Sequence, residues 1–236
     1  MPTAQLFSDT LLAPGRGLAA AAERRSILPA LLAATLASLL AAAVLAPRAD
    51  YRRTVEEQLD AHPEAAAQMS PHDREVAFAQ AQKLGAVSTY AQGLLGPALR
   101  TLAVAFCLFV AFRLANSPVP FAPTFAVAAW ATLPLALKDL LSVPALWRLP
   151  GPSIQEAERA LPSSLAALLP AGASPRLAAA AGAFDLFALW SLVLVAVGMA
   201  GVAGVDRRRS FTVVVLLWVS FVLLQRVAAP GLAGGR

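Results

Sequence analysis

The chain reads as an all-α polytopic membrane protein, a bundle of five transmembrane helices joined by short interfacial helices. Three observations predict this. Five apolar stretches are set apart by short charged segments, and two of them, residues 27–46 and 186–205, carry no charge at all. Each is about as long as a helix needs to cross roughly 30 Å of hydrocarbon. Composition agrees: of 236 residues 58% are hydrophobic and 14% charged, where a soluble domain holds about one quarter charged residues. Lipid must therefore replace water over much of the surface, and backbone groups there must be satisfied within helices.

Residues 1–26 form a mostly polar cytoplasmic lead-in. Pro14-Gly15-Arg16-Gly17 signals a turn, and residues 18–25 suit a short interfacial helix ending in Glu23-Arg24-Arg25. A single membrane domain then covers residues 27–229. Span one is 27–46, with Pro29 in the opening turn, where the missing N–H costs little. Ala33, Ala37 and Ala41 form a small-residue stripe that permits close packing in lipid.

A connector follows over residues 47–94. Residues 50–59 are charged and read as one helix. Ser70-Pro71-His72-Asp73 reads as a helix start: the serine caps free N–H groups, proline fits the first helical position and Asp73 completes a capping box. The helix beyond, with Val76, Phe78, Ala79 and Leu84 among charges, lies at the membrane surface, folds over the bundle or continues into span two. Gly85, Gly93, Gly96 and Pro97 blur the start of span two, placed at 95–115. Its Arg100 and Arg113 are expected near opposite interfaces, snorkelling outward.

Asn116-Ser117-Pro118-Val119-Pro120 is a tight turn into span three, 121–141. Pro134 should kink that span. Lys138-Asp139 follows one turn later and marks the helix end. If the helix runs on through Leu146-Trp147, the pair lies deeper, where ionisable groups are expensive and often functional. The second connector, 142–182, holds a capping-box pattern at Ser153-Ile154-Gln155-Glu156 and an apolar piece, 161–169, too short to cross. Span four is 183–205; Gly198, Gly201 and Gly204 cluster at its far end, where close helix contact is their natural use. Asp206-Arg207-Arg208-Arg209 turns the chain into span five, 211–228.

Orientation follows from arginine. Arg24 and Arg25 before span one, Arg113 at the second turn, and Arg207, Arg208 and Arg209 at the fourth all fall on one side of a five-span layout. Short loops rich in Lys and Arg stay cytoplasmic, so the N-terminus is expected inside and the C-terminus outside.

The net charge of +5 reflects these anchors; no arginine–aromatic stripe or nucleic-acid motif accompanies it. The chain shows no phosphate loop, zinc-protease or serine-nucleophile motif. Cys107 is the single cysteine, set in an apolar run. His62 and His72 lie in the polar connector without a spacing that fixes a metal. No enzyme and no cofactor is expected.

The run Phe184-Asp185-Leu186-Phe187-Ala188-Leu189-Trp190-Ser191-Leu192-Val193-Leu194, followed by Gly198, resembles the aromatic–Leu-Trp–Leu–Gly pattern of the bacterial branch of the Yip1 domain family. The loop at 207–210, the apolar run 211–225, the turn at 116–121 and Pro134 fit the same pattern, over roughly residues 90–228. The resemblance implies a five-span layout with a cytoplasmic N-terminus. In eukaryotes the family is associated with Golgi and ER traffic and with prenylated Rab-type small GTPases. A chain rich in Ala, Arg and Pro and poor in Lys points instead to a bacterial gene and a bacterial inner membrane.

Two readings of function follow. One is a non-enzymatic scaffold that organises membrane lipids and a membrane-protein partner or a second copy of itself, without nucleic acid. The other is a small transporter or lipid-translocating module of unknown substrate, with Arg100, Pro134, Lys138 and Asp139 lining its path, as broken helices with charges do in transporters.

Overall fold

A computed structural model describes residues 2–170, 177 and 181–224. These residues are helical, with an isolated backbone bridge between Ser164 and Asp185. In order, the helices are α1 (Thr3–Leu12), α2 (Pro14–Arg24), α3 (Leu28–Leu45), α4 (Tyr51–Ala61), α5 (Pro63–Gln68), α6 (Pro71–Leu114), α7 (Phe121–Ala131), α8 (Leu133–Arg148), α9 (Ile154–Glu158), a 3-10 turn (Leu165–Leu168), α10 (Leu186–Ala203) and α11 (Arg207–Val222).

Four stretches among the described residues are long and apolar enough to cross a membrane: α3, α6, α7 and α8 together, and α10. The expected fifth crossing is not among them. Its helix α11 opens on three arginines and is 16 residues long, short of the roughly 20 a crossing needs. Residues 225–228 of the expected span lie outside the described residues.

Two expected boundaries move. Of the courses open to the helix begun at Ser70, it takes the continuation into span two; α6 runs 44 residues, from the first connector to the second turn, so no boundary falls at 94–95. The capping box starts it: the Asp73 N–H donates to Ser70 Oγ at 3.1 Å, and the Ser70 N–H to Asp73 Oδ2 at 3.2 Å. The glycines that blur the start of span two serve packing here. Gly85 takes the ring of Tyr51 against its Cα, and Gly93 lies against Ala42 and the Ser38 carbonyl. Pro97 is tolerated inside the helix, and the Thr101 hydroxyl donates to its carbonyl at 2.7 Å.

The third span likewise runs past 141. Pro134 sits in the first turn of α8, so the expected kink is a joint at Thr132. There the Thr132 hydroxyl donates to the Ala129 carbonyl at 2.7 Å. α8 then continues through Pro144 to Arg148, which leaves Lys138 and Asp139 in mid-helix.

The lead-in is built into the bundle. Leu6, Leu18 and Ala21 join Val127, Trp130, Leu194, Ala196 and Met199 in the main buried cluster. α2 packs on α7 and α10, and α3 on α8 and α6. Arg25 closes α2 in the left-handed conformation, φ 51, and the Trp130 indole donates to the Ser26 carbonyl at 2.6 Å. Two broken helices thus run side by side, α2–α3 and α7–α8. Each second half opens on a Leu-Pro pair, Leu28-Pro29 and Leu133-Pro134.

α1 folds back on α2 at Gly17, where an added Cβ would collide with the backbone of Asp9 and Thr10. Backbone cannot yield as a side-chain tip can. Gly17→Ala is therefore expected to separate α1 from α2 at a cost of about 1–3 kcal/mol. Limited proteolysis in detergent should then release residues before α2 several times faster than in wild type. An unchanged rate would show that the hairpin tolerates the methyl.

Candidate functional site

The charges of the third span are the place where chemistry departs from packing. Consecutive helical residues do not face each other, and Lys138 makes its ion pair elsewhere, although it lies within electrostatic range of Asp139. The Lys138 ammonium reaches Asp185 Oδ2 at 2.8 Å, on the residue that precedes α10. Asp139 and Arg100 of α6 lie within electrostatic range of each other. Pro134 stands one turn before Lys138, at the start of α8. Of the four sequence candidates, Lys138 and Asp139 of α8 thus face different partners, Asp185 and Arg100 of α6, while Pro134 only opens the helix that carries them.

Asp185 is the residue that sequence reading passed over. It caps α10: Oδ1 accepts from the backbone N–H of Phe187 at 3.0 Å and of Ala188 at 3.2 Å. Its other oxygen takes the Lys138 ammonium and a short hydrogen bond from the Ser163 hydroxyl. The Leu186 N–H donates to the Ser163 carbonyl at 2.9 Å, which ties the second connector to the same point. An aspartate before an apolar helical run is an N-cap signal; its lysine partner, 47 residues away, has no local signature. Beside the pair opens a cleft of about 220 Å³ between α8, α10 and α11, walled by Leu135, Trp218, Phe221 and Val222.

At the same end the two connectors clasp each other. Arg48 donates to the carbonyls of Leu146 and Leu149, at 3.4 and 3.1 Å, with its guanidinium 5.4 Å from the Trp147 ring centre. The Asp50 N–H donates to the Pro152 carbonyl at 2.9 Å, and Arg53 pairs with Glu57 and Glu156. Ser153 of the second capping box donates to Glu57 at 2.8 Å. Tyr51 hydrogen-bonds the Ala46 carbonyl at 3.0 Å; burial pushes its phenol above the usual range, with the Thr89 hydrogen bond opposing, so it stays a neutral donor.

The arginine-rich turns share the opposite end. Arg209 donates to the Ala115 carbonyl at 2.5 Å, joining the start of α11 to the end of α6. Arg113 stacks on Phe109 with 4.4 Å to the ring centre. Arg207 and Arg208 are exposed in the first turn of α11. Arg24 and Arg25, also exposed, end α2 elsewhere, next to Ser26 and Trp130 near the α7–α8 joint.

The three candidate packing glycines differ. Gly198 lies under Val127 and Leu18, whereas Gly201 and Gly204 face open space. Gly204, at φ 62, closes α10 in the left-handed conformation glycine allows. His62 and His72 are exposed, and among the described residues no group of three or more His, Cys, Asp or Glu side chains is placed to hold a metal.

A family model described as the Yip1 domain matches residues 8–227, from within α1 to beyond α11. No curated protein and no solved structure matches the chain.

Proposed function

The chain belongs to the Yip1 domain family, and on that premise we propose that it is a non-enzymatic scaffold in the bilayer that holds a membrane-protein partner. The family is non-catalytic and its proteins interact with membrane partners. One observation carries the reading for this chain. α6 is exposed and apolar along one side from Leu84 through Leu94, Leu99 and Phe106 to Leu114. At 1.5 Å per residue that face is about 45 Å long, against roughly 30 Å of hydrocarbon. Burying all of it in lipid needs a tilt of about 50°, beyond the 0–40° of membrane helices. An apolar partner surface covers the excess.

We place the N-terminus in the cytoplasm of a bacterial cell, with α11 and the residues after it as a fifth crossing. The arginines at the α6–α7 and α10–α11 turns support that orientation. The transporter reading draws on the mid-helix position of Lys138 and Asp139; the tying of Lys138 to Asp185 supports the scaffold instead.

Photocrosslinking from Val87 and Leu94 in native membranes tests this. One protein captured at both positions, in stoichiometric yield and without solute flux or lipid scrambling in vesicles, is the expected result. Lipid adducts alone, or flux that Asp139→Asn abolishes, would overturn it.

A further inference from the structure

We propose that the cleft between α8, α10 and α11 is a headgroup site for one zwitterionic phospholipid, with a phosphate oxygen on Lys138 and an acyl chain along Leu135, Trp218 and Phe221. This adds a defined lipid to the organiser reading, and it rests on different helices from the α6 surface used there.

A lysine ammonium has three N–H groups. Lys138 gives one to Asp185, and no other described group takes the remaining two. Its side chain is 29% exposed while that of Asp185 is 7%. Both residues line the cleft, and the lysine is the more accessible of the two. Asp185 already accepts from Lys138, Ser163, Phe187 and Ala188, so of the pair it is the lysine that has hydrogen-bonding capacity to spare. What docks on Lys138 must bring acceptor oxygens.

The walls narrow the choice. Beyond the ion pair the side chains lining the cleft are apolar or aromatic, with Phe221 exposed on α11 and Trp218 edge-on to Phe184, ring centres 5.3 Å apart. A free inorganic anion would leave these walls against water, and a bare hydrocarbon would leave the ammonium without a partner. An amphiphile with an oxyanion at the head of an acyl chain suits both ends. The paired Lys138 and Asp185 sum to no net charge, so a headgroup that is itself neutral overall, phosphate plus ammonium, avoids importing an uncompensated charge.

The test uses the full chain in vesicles made from an equal mixture of phosphatidylethanolamine and phosphatidylglycerol, extracted gently and analysed by native mass spectrometry. Wild type should retain one phosphatidylethanolamine. Lys138→Ala removes the donor, and Phe221→Ala removes the chain wall while leaving the ion pair intact. Each should lower retention about fivefold, a loss near 1 kcal/mol. Unchanged retention in both variants overturns the site. Displacement of the lipid by inorganic phosphate, with Phe221→Ala behaving as wild type, also overturns it, because the cleft would then hold a free anion. Partner crosslinking from Val87 and Leu94 should be the same in both variants, so loss of the lipid site and loss of the scaffold register separately.

Discussion

Gly198→Leu is expected to lower the unfolding temperature in detergent by about 6–12 °C, a loss of around 3 kcal/mol, while Gly201→Leu leaves it unchanged or slightly raised. A Cβ built at Gly198 stands 2.6 Å from Val127 Cγ1, 3.1 Å from Cγ2 and 3.2 Å from Leu18 Cδ1. Val127 and Leu18 are fully buried, so neither has space to retreat. Valine is also stiff at χ1. The larger side chain must push α10 away from both α7 and α2, and with them the N-terminal hairpin. At Gly201 nothing lies within 4 Å of the same construction, and leucine is the better helix former. Differential scanning fluorimetry of the two variants separates a packing glycine from one that merely faces lipid. Equal shifts in both would show that α10 does not sit against α7 as described.

That contrast also shows where sequence reading stops. The spacing of Gly198, Gly201 and Gly204 is the same small-residue pattern whichever of them touches a neighbour. Hydropathy reports that a residue avoids water; in a bilayer, lipid and a packed helix satisfy it equally. The apolar spans, the capping boxes at Ser70 and Ser153 and the turn at Asn116 were therefore legible, since each is a local property. The continuity of α6 was one reading among three, because Gly85 and Gly93 are weak helix formers by propensity and contacts by packing. The buried hairpin was half legible. Leu18, Ala21 and Ala22 follow the i, i+3, i+4 spacing of an inward face, but the charges around them read as an interface. The partner of Lys138 was invisible, since a charge pair across 47 residues leaves no periodic trace.

Asp185→Ala is expected to be among the most damaging single substitutions in the chain, at about 3–5 kcal/mol, because three functions end at one carboxylate. It caps α10, and losing an N-cap costs about 0.5–2 kcal/mol on its own. It neutralises Lys138, which would stand partly buried and unpaired. It also accepts from Ser163, which fastens the second connector where the Leu165 N–H donates to the Phe184 carbonyl at 3.2 Å. Asp185→Asn divides these roles. The amide oxygen still accepts from Phe187 and Ala188, while the NH2 that replaces Oδ2 can accept neither from Lys138 nor from the Ser163 hydroxyl. Lys138 can rehydrate toward the cleft, so the asparagine variant should lose only about 1–2 kcal/mol. Thermal unfolding of both variants, with Lys138→Ala and the double variant to close the cycle, measures the coupling. If alanine and asparagine lose the same amount, the cap contributes nothing and the ion pair alone joins α8 to α10. If neither loses stability, the second connector and the start of α10 are held by their backbone hydrogen bonds, and the Lys138–Asp185 pair is free to open toward whatever enters the cleft.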